Sequence, residues 1–340
     1  MTKKLNIAIV GVTGAVGETM LAVLKERKFP IAQLFPLASE RSVGKTVVFK
    51  DQELDVLDLA TFDFTDVDIA LFSAGGSVSK EFAPIAVAAG CVVIDNTSCF
   101  RYDDDIPLVV PEVNPERIAQ YTNRGIIANP NCSTIQMVVA LKPLHDAVGI
   151  TRINVATYQA VSGSGKKAVT ELITQMGELL NGRSVKPTVY SQQIAFNVLP
   201  HIDEFQDNGY TREEMKMVWE TQKILEDDQI LVNPTAVRVP VLYGHSEAIH
   251  VEFKSPITAE RARKLLSKAP GVKVIDDPSK SKYPTAIQNA TGVDTVFVGR
   301  IRQDISHPCG LDLWVVADNI RKGAASNAIQ IAEILQRDYL

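Results

Sequence analysis

Leu5-Asn6-Ile7-Ala8-Ile9-Val10-Gly11-Val12-Thr13-Gly14-Ala15-Val16-Gly17 is the stretch whose reading decides the fold. Leu5 to Val10 is a short apolar run of buried-strand length, and Val16, Met20 and Leu24 recur on one face of a helix beyond it. Between them stand Gly11, Gly14 and Gly17, in a strand-to-helix turn. Glycines there let the backbone approach a pyrophosphate, and the helix N-terminus attracts its charge. The spacing departs slightly from G-x-G-x-x-G, and a bare structural turn is the competing reading. Outward from this turn, apolar runs follow at Ile31 to Leu37, Ile69 to Phe72, Val92 to Ile94 and Ile126 to Ala128, with a helical stretch at Ser77 to Ala89. Strands alternating with helices predict a parallel, doubly wound sheet.

The second run does not end in an acidic residue that would grip a ribose 2′-hydroxyl. Ala38-Ser39-Glu40-Arg41-Ser42 follows instead, and Ser39, Arg41 and Ser42 suit a 2′-phosphate. Glu40 complicates this reading, and a solvated loop of mixed charge is the alternative. NADP is favoured over NAD.

With 340 residues the chain is long enough for two domains, each able to bury a core without staples. Its 35 basic and 40 acidic side chains leave a net charge of −5, which disfavours generic binding to nucleic acid or an anionic membrane. The longest mainly apolar stretch, Phe82 to Ile94, contains Pro84 and Gly90 and is shorter than the roughly 20 residues of a membrane span. Lys3 and Lys4 before an apolar run imitate a signal peptide, but glycines and Glu18 interrupt it, so a cytoplasmic protein is expected. Cys91, Cys99, Cys132 and Cys309 form no CxxC pair, so neither a metal site nor a disulfide framework is suggested.

After Asn129-Pro130 the pattern changes to alternation at Ile153 to Val161, Val237 to Val241, Ile249 to Phe253 and Val296 to Val298. Half-buried strands of this kind predict a mixed or antiparallel sheet. Helices are expected at Ser133 to His145, Lys166 to Leu180, Arg212 to Glu226 and Thr258 to Leu266, which makes this part α+β. A last helix, Lys322 to Leu335, has the spacing to pack back on the first domain. Asp276 to Pro284 reads as an exposed loop.

Chemistry concentrates in a few places. Asn129-Pro130-Asn131-Cys132-Ser133-Thr134 precedes an apolar helical pattern, which puts Cys132 at a helix N-terminus, a position that favours thiolate. A small hydrophobe buried at a turn is the alternative. Cys91 and Cys99 flank a strand end without that context and read as structural. A thiolate needs a nearby proton donor and acceptor. Among five histidines, His245 lies in Tyr243-Gly244-His245-Ser246, seven residues after Arg238, though a solvated turn histidine reads as well. His307-Pro308-Cys309 is a rival cluster that reads as a surface turn. Arg101 follows the strand ending at Asp95, where doubly wound sheets place ligands, and suits phosphate or carboxylate. Arg238, alone in an apolar run, needs an exposed face or an anionic partner. Val161-Ser162-Gly163-Ser164-Gly165 offers backbone donors, and Gln159 just before it suits a carbonyl oxygen.

These pieces together resemble the aspartate-β-semialdehyde dehydrogenase family over essentially the whole chain. The matching segments are Gly11 to Gly17, Ser73-Ala74-Gly75-Gly76, Asn129 to Thr134, Gln159 to Gly165, Glu220-Thr221-Gln222-Lys223, Arg238 to His245 and Val315 to Asn319. The resemblance implies an α/β chain: an N-terminal Rossmann-like NADP-binding domain, residues 1–130 plus 320–340, and an α+β catalytic and dimerisation domain, residues 131–319, in a homodimer. It implies Cys132 as nucleophile, His245 as acid/base cycling through the imidazolium, and Gln159 orienting the acyl group. Arg238 would clamp the substrate carboxylate and Glu220 its ammonium, with Arg101 and Lys223 as phosphate-site cations. Thr13, Gly14, Ala15, Val16, Ser39, Arg41, Ser42, Ser73, Gly75, Ser162, Gly163 and Asn319 lie in segments resembling cofactor contacts. The implied reaction is reductive dephosphorylation of β-aspartyl phosphate to aspartate β-semialdehyde and phosphate, on the route to lysine and diaminopimelate, threonine and methionine. A related acyl-phosphate reductase acting on N-acetyl-γ-glutamyl phosphate, and a non-catalytic dinucleotide-binding protein, are the alternatives.

Overall fold

The computed structural model describes residues 3–340; Met1 and Thr2, at the start of the expected first domain, lie outside it. Two compact units emerge, Met1–Asn131 with Ala324–Leu340, and Cys132–Gly323. The divisions read from the sequence, after 130 and 319, lie one and four residues away.

In the first unit, β1 (Leu5–Val10) leads into α1 (Ala15–Glu26) and returns as β2 (Ile31–Ala38). A hairpin of β3 (Thr46–Phe49) and β4 (Gln52–Asp55) follows, then β5 (Leu57–Asp58), β6 (Ile69–Phe72), α2 (Gly76–Ala88), β7 (Val92–Asp95) and β8 (Ile126–Ala128). All six strands of the main sheet run parallel in the order β5-β2-β1-β6-β7-β8. β6 and β7 are buried at every position, as strands covered on both faces must be. The hairpin is absent from the sequence reading because its residues stay largely exposed. The C-terminal helix, Ser326–Asp338, contributes Ala328, Ile329, Ile331, Ala332 and Leu335 to this unit's core. It starts later than expected, because Arg321–Ala325 form a wider turn.

The second unit begins with α3 (Cys132–Val148), β9 (Ile150–Gln159) and α4 (Lys166–Leu180). It continues through α5 (Arg212–Leu225), β10 (Leu231–Arg238), β11 (His245–Phe253), α6 (Ala259–Leu266), β12 (Val272–Val274), β13 (Val296–Gln303) and β14 (Gly310–Ala317). Its sheet is mixed, in the order β10-β9-β11-β14-β13-β12. Three expectations are corrected here. The strand read at Val237 to Val241 spans Leu231–Arg238, and the chain leaves the sheet after Arg238. The strand read at Ile153 to Val161 ends at Gln159, where a short turn takes over. His245 is no solvated turn residue but the fully buried first residue of β11.

Candidate active site

The nucleotide side is built in the first unit from backbone geometry. β1 lies between β2 and β6, with Val10 opposite both Leu37 and Phe72, so the turns after three strands leave the sheet side by side. Strand order reverses there, which is where open α/β sheets take ligands. Gly11, Thr13, Gly14, Ser39, Arg41 and Ser73 all line one cavity of about 480 Å³. Ala15, Val16, Gly17, Ser42 and Gly75 do not line it. Gly11 has φ +90°, and a Cβ on Gly17 would stand 2.3 Å from Gly11 O, so both glycines are required for the turn to close on its helix. Gly14, the N-cap of α1, has no side chain to cap the helix and itself lines the cavity, so an anion there meets the helix N-terminus. A dinucleotide phosphate fits this donor set. Asp58, at the end of β5, also lines the cavity, a residue the sequence did not single out because β5 is only two residues long.

Arg101 belongs to the same unit, buried after β7, where its Nη2 donates to Asn96 O at 2.7 Å. Nearby Asp95 accepts from Ser79, from the Thr97 hydroxyl and from Thr97 N at 2.7–3.0 Å. Burial pushes its carboxyl above the ordinary range, with Thr97, Ser79 and Arg101 opposing. The thiol of Cys91 is buried and pushed far up.

The second unit assembles residues from far apart in the chain. Gln159 closes β9, Arg238 closes β10 directly opposite it, His245 opens β11, and Ala317 closes β14 opposite His245. One end of the sheet therefore carries all of them. Asn319, two residues past β14, donates to the Ser162 hydroxyl at 3.0 Å and accepts from Gly244 N at 2.9 Å. The same turn brings Gly323 against Cys132: a Cβ at 323 would lie 2.7 Å from Cys132 Cβ. Gly323 thus leaves room for the cysteine, a role no local pattern reveals. Cys132 is half-buried and is the first residue of α3.

Around the imidazole, Ala160 N–H donates to His245 Nδ1 at 3.0 Å, and Gln159 Nε2 lies 3.4 Å from His245 Nε2. Burial, reinforced by Arg238 and opposed by Glu213, pushes the His245 pKa down to about 3. Arg238 Nη1 donates to Ala160 O at 2.8 Å, while its buried Nε has no protein partner, which suits an anionic ligand.

The acidic and basic residues of α5 correct the sequence reading. The Thr211 hydroxyl and Glu214 form a capping box, and Glu214 also accepts from Ala236 N at 2.9 Å, tying the first turn of α5 to the C-terminal end of β10. Gln222 Nε2 donates to Ile230 O at 3.0 Å, tying the last turn to the other end. Glu213, in the first turn, accepts from Gln159 Nε2 at 3.1 Å. Glu220 and Lys223 lie two to three turns farther on, about 10–15 Å along the axis at 1.5 Å per residue, and away from Gln159. Glu213 and Lys216 are the charged pair at the sheet end, with Lys216 Nζ 3.1 Å from Glu213 Oε2 and 2.7 Å from Asp203 Oδ2. Burial acts to lower the Lys216 pKa, but Glu213 and Asp203 outweigh it and hold it above the ordinary value.

Residues 6–121 match the family profile described as semialdehyde dehydrogenase, NAD binding domain, and residues 141–322 that described as semialdehyde dehydrogenase, dimerisation domain. An aspartate-semialdehyde dehydrogenase of Legionella pneumophila is 75% identical over 340 residues, all of this chain and 98% of that one. The crystal structure of aspartate semialdehyde dehydrogenase II from Vibrio cholerae, complexed with ASA, superposes with a TM-score of 0.98 at 61% identity, covering 100% of both chains. A Candida albicans aspartate semialdehyde dehydrogenase with NADP superposes at 0.76 and 26% identity, over 98% of this chain and 99% of that one. The chain belongs to the aspartate-semialdehyde dehydrogenase family.

Proposed function

We propose that this chain catalyses the NADP-linked, phosphate-dependent interconversion of β-aspartyl phosphate and aspartate β-semialdehyde, in the biosynthesis of lysine and diaminopimelate, threonine and methionine. The observation that carries the proposal is the meeting of Gln159, Arg238 and His245 at one sheet end, beside the turn that packs Gly323 on Cys132.

Cys132 attacks the acyl carbon as a thiolate, favoured by the N-terminus of α3. Gln159 orients the acyl group, and His245 is the acid/base that protonates the oxyanion or its product. Arg238 holds the substrate carboxylate through its unpartnered edge, and Glu213 takes the place first read for Glu220 as partner of the ammonium. Lys216, rather than Lys223, supplies the cation of α5 for the phosphate, with Arg101 as a second. NADPH, when bound, supplies the hydride that reduces the thioester. Gly11, Thr13, Gly14, Ser39, Arg41 and Ser73 would hold it, with Ser39 and Arg41 on the 2′-phosphate. Ser162, Gly163 and Asn319 shape the sheet end in the second unit. The match of residues 141–322 to a dimerisation domain supports a homodimer. Among the described residues no helix is long and apolar enough to cross a membrane. We place the protein in the cytoplasm, where a thiolate nucleophile stays reduced.

The test follows NADPH formation by purified protein from aspartate semialdehyde and NADP⁺, with and without phosphate, beside N-acetylglutamate semialdehyde. Turnover that needs both the aspartate aldehyde and phosphate is the expected result. Binding of NADP⁺ without turnover of either aldehyde overturns the proposal.

A further inference from the structure

Two polar side chains inside the second unit take no part in the chemistry proposed for Cys132 and His245. Glu247 is fully buried and Gln136 almost so. Along β11, His245, Glu247, Ile249 and Val251 alternate on one buried face, and α3 packs against this strand. Gln136 of α3 is the side chain that faces the Glu247 carboxyl, and it opposes the effect of burial on the acid. The pair is loosely set, since neither the carboxyl oxygens nor the amide nitrogen and oxygen have a hydrogen bond of ordinary geometry. Cys132 opens α3 and His245 opens β11. Gln136 follows Cys132 by one helical turn, about 6 Å along the axis, and Glu247 follows His245 by one strand repeat, about 7 Å. The deeper pair therefore repeats the spacing of the outer one. Glu247 stands opposite Thr157 of β9 and Val315 of β14. The Thr157 hydroxyl is turned to Gln159, to which it donates at 2.9 Å, and among the described residues no cation pairs with Glu247.

We infer that Glu247 and Gln136 are a positioning pair for the reaction proposed above, on which the inference rests: one step behind His245 and Cys132, they fix the first turn of α3 on β11 and hold the cysteine in register with the histidine. A carboxyl buried without a cation stays protonated, and burial pushes this one well above the ordinary range. A protonated carboxyl and a primary amide each present a donor and an acceptor, so the two can pair edge to edge. Such a pair is directional. Apolar neighbours such as Ile249 and Val251 tolerate small slides and rotations of the helix, whereas a polar pair specifies one setting. Burying these atoms is costly, and a core built for stability alone would continue the apolar run of β11 through position 247. Both side chains lie out of reach of substrate and act through the elements that they join.

The test begins with wild-type turnover, whose absence would sink the reaction itself and not the pair, because unfolding and alkylation read the pair without substrate. Glu247→Gln keeps an uncharged donor and acceptor, and its kcat should stay within about threefold of wild type. Glu247→Leu should lower kcat about 10–100-fold while KM for aspartate semialdehyde and NADP⁺ affinity stay within about twofold, because the binding groups are untouched. The midpoint of urea unfolding should fall in Glu247→Leu and in Gln136→Leu, each of which orphans one polar group, and recover in the double variant, which orphans none. That double variant separates positioning from stability. It should fold as stably as wild type yet keep the low kcat, and its Cys132, followed by mass spectrometry of the iodoacetamide-labelled peptide, should alkylate at a rate changed about threefold or more. Wild-type kcat and alkylation in the double variant would make the pair merely structural. A loss in Glu247→Gln as deep as in Glu247→Leu would show that a charge or a proton matters and not pairing, and additive losses of stability would show that the two side chains do not pair. Each of these overturns the inference. Should Glu247→Leu alone fail to fold, the double variant and Glu247→Gln decide.

Discussion

The turn after β1 and the end of the second sheet are both candidate ligand sites built at strand ends, yet by opposite means. The first is backbone chemistry within one contiguous segment: Gly17 would drive a Cβ to 2.3 Å from Gly11 O, and α1 starts from Gly14 on the cavity wall. The second is side-chain chemistry gathered from Cys132, Gln159, Glu213, Arg238, His245 and Gly323, held by long-range register. A backbone site tolerates no added volume, whereas a side-chain site depends on charge and hydrogen-bond identity. Steric change should therefore dominate in the first unit and chemical change in the second.

The largest expected effect tests the second unit. Cys132→Ser should lower kcat by about 10⁴-fold or more while NADP⁺ affinity and thermal unfolding stay as in wild type; normal turnover in this variant would remove the nucleophile from the proposal. Gly17→Ala tests the opposite rule, because one methyl should abolish NADP⁺ binding and cost about 1–3 kcal/mol in denaturant unfolding. Normal affinity there would show that α1 can move off the turn. Next in size, Arg238→Lys keeps the charge but loses the fork, and steady-state kinetics should show apparent KM for aspartate semialdehyde rising about 10–100-fold, whereas an unchanged KM removes Arg238 from the substrate site. The smallest effect sharpens the assignment on α5. Lys216→Met should reduce kcat/KM about tenfold and Lys223→Met less than about threefold, and the reverse ranking would restore the reading made from the sequence.

The move from Glu220 and Lys223 to Glu213 and Lys216 shows where sequence reading stops. Glu213-x-x-Lys216 and Glu220-x-x-Lys223 are the same spacing on the same helix, seven residues apart. Both lie on the same face after two turns, so periodicity cannot choose between them. The choice is made by the antiparallel run of α5 along β10, which sets its first turn beside Arg238. His245 was misplaced for a related reason. Tyr243-Gly244-His245-Ser246 has turn composition, but pairing of His245 with Ala317 pulls it into the sheet and buries it. By contrast Cys132 was legible, because a polar, proline-containing turn before an apolar helical pattern is a local signal.

The amino-acid sequence by itself determined the strand-glycine-helix turn, the doubly wound first sheet, the mixed character of the second, and the place of Cys132 at the start of α3. Each of these rests on periodicity, backbone conformation or a helix terminus, which act over a few residues. Only the tertiary structure decided which carboxylate and ammonium of α5 face Gln159 and why residue 323 must be glycine. Those depend on strand register and on the approach of segments up to 191 residues apart, Cys132 and Gly323, whose contact free energies carry no signature in local sequence.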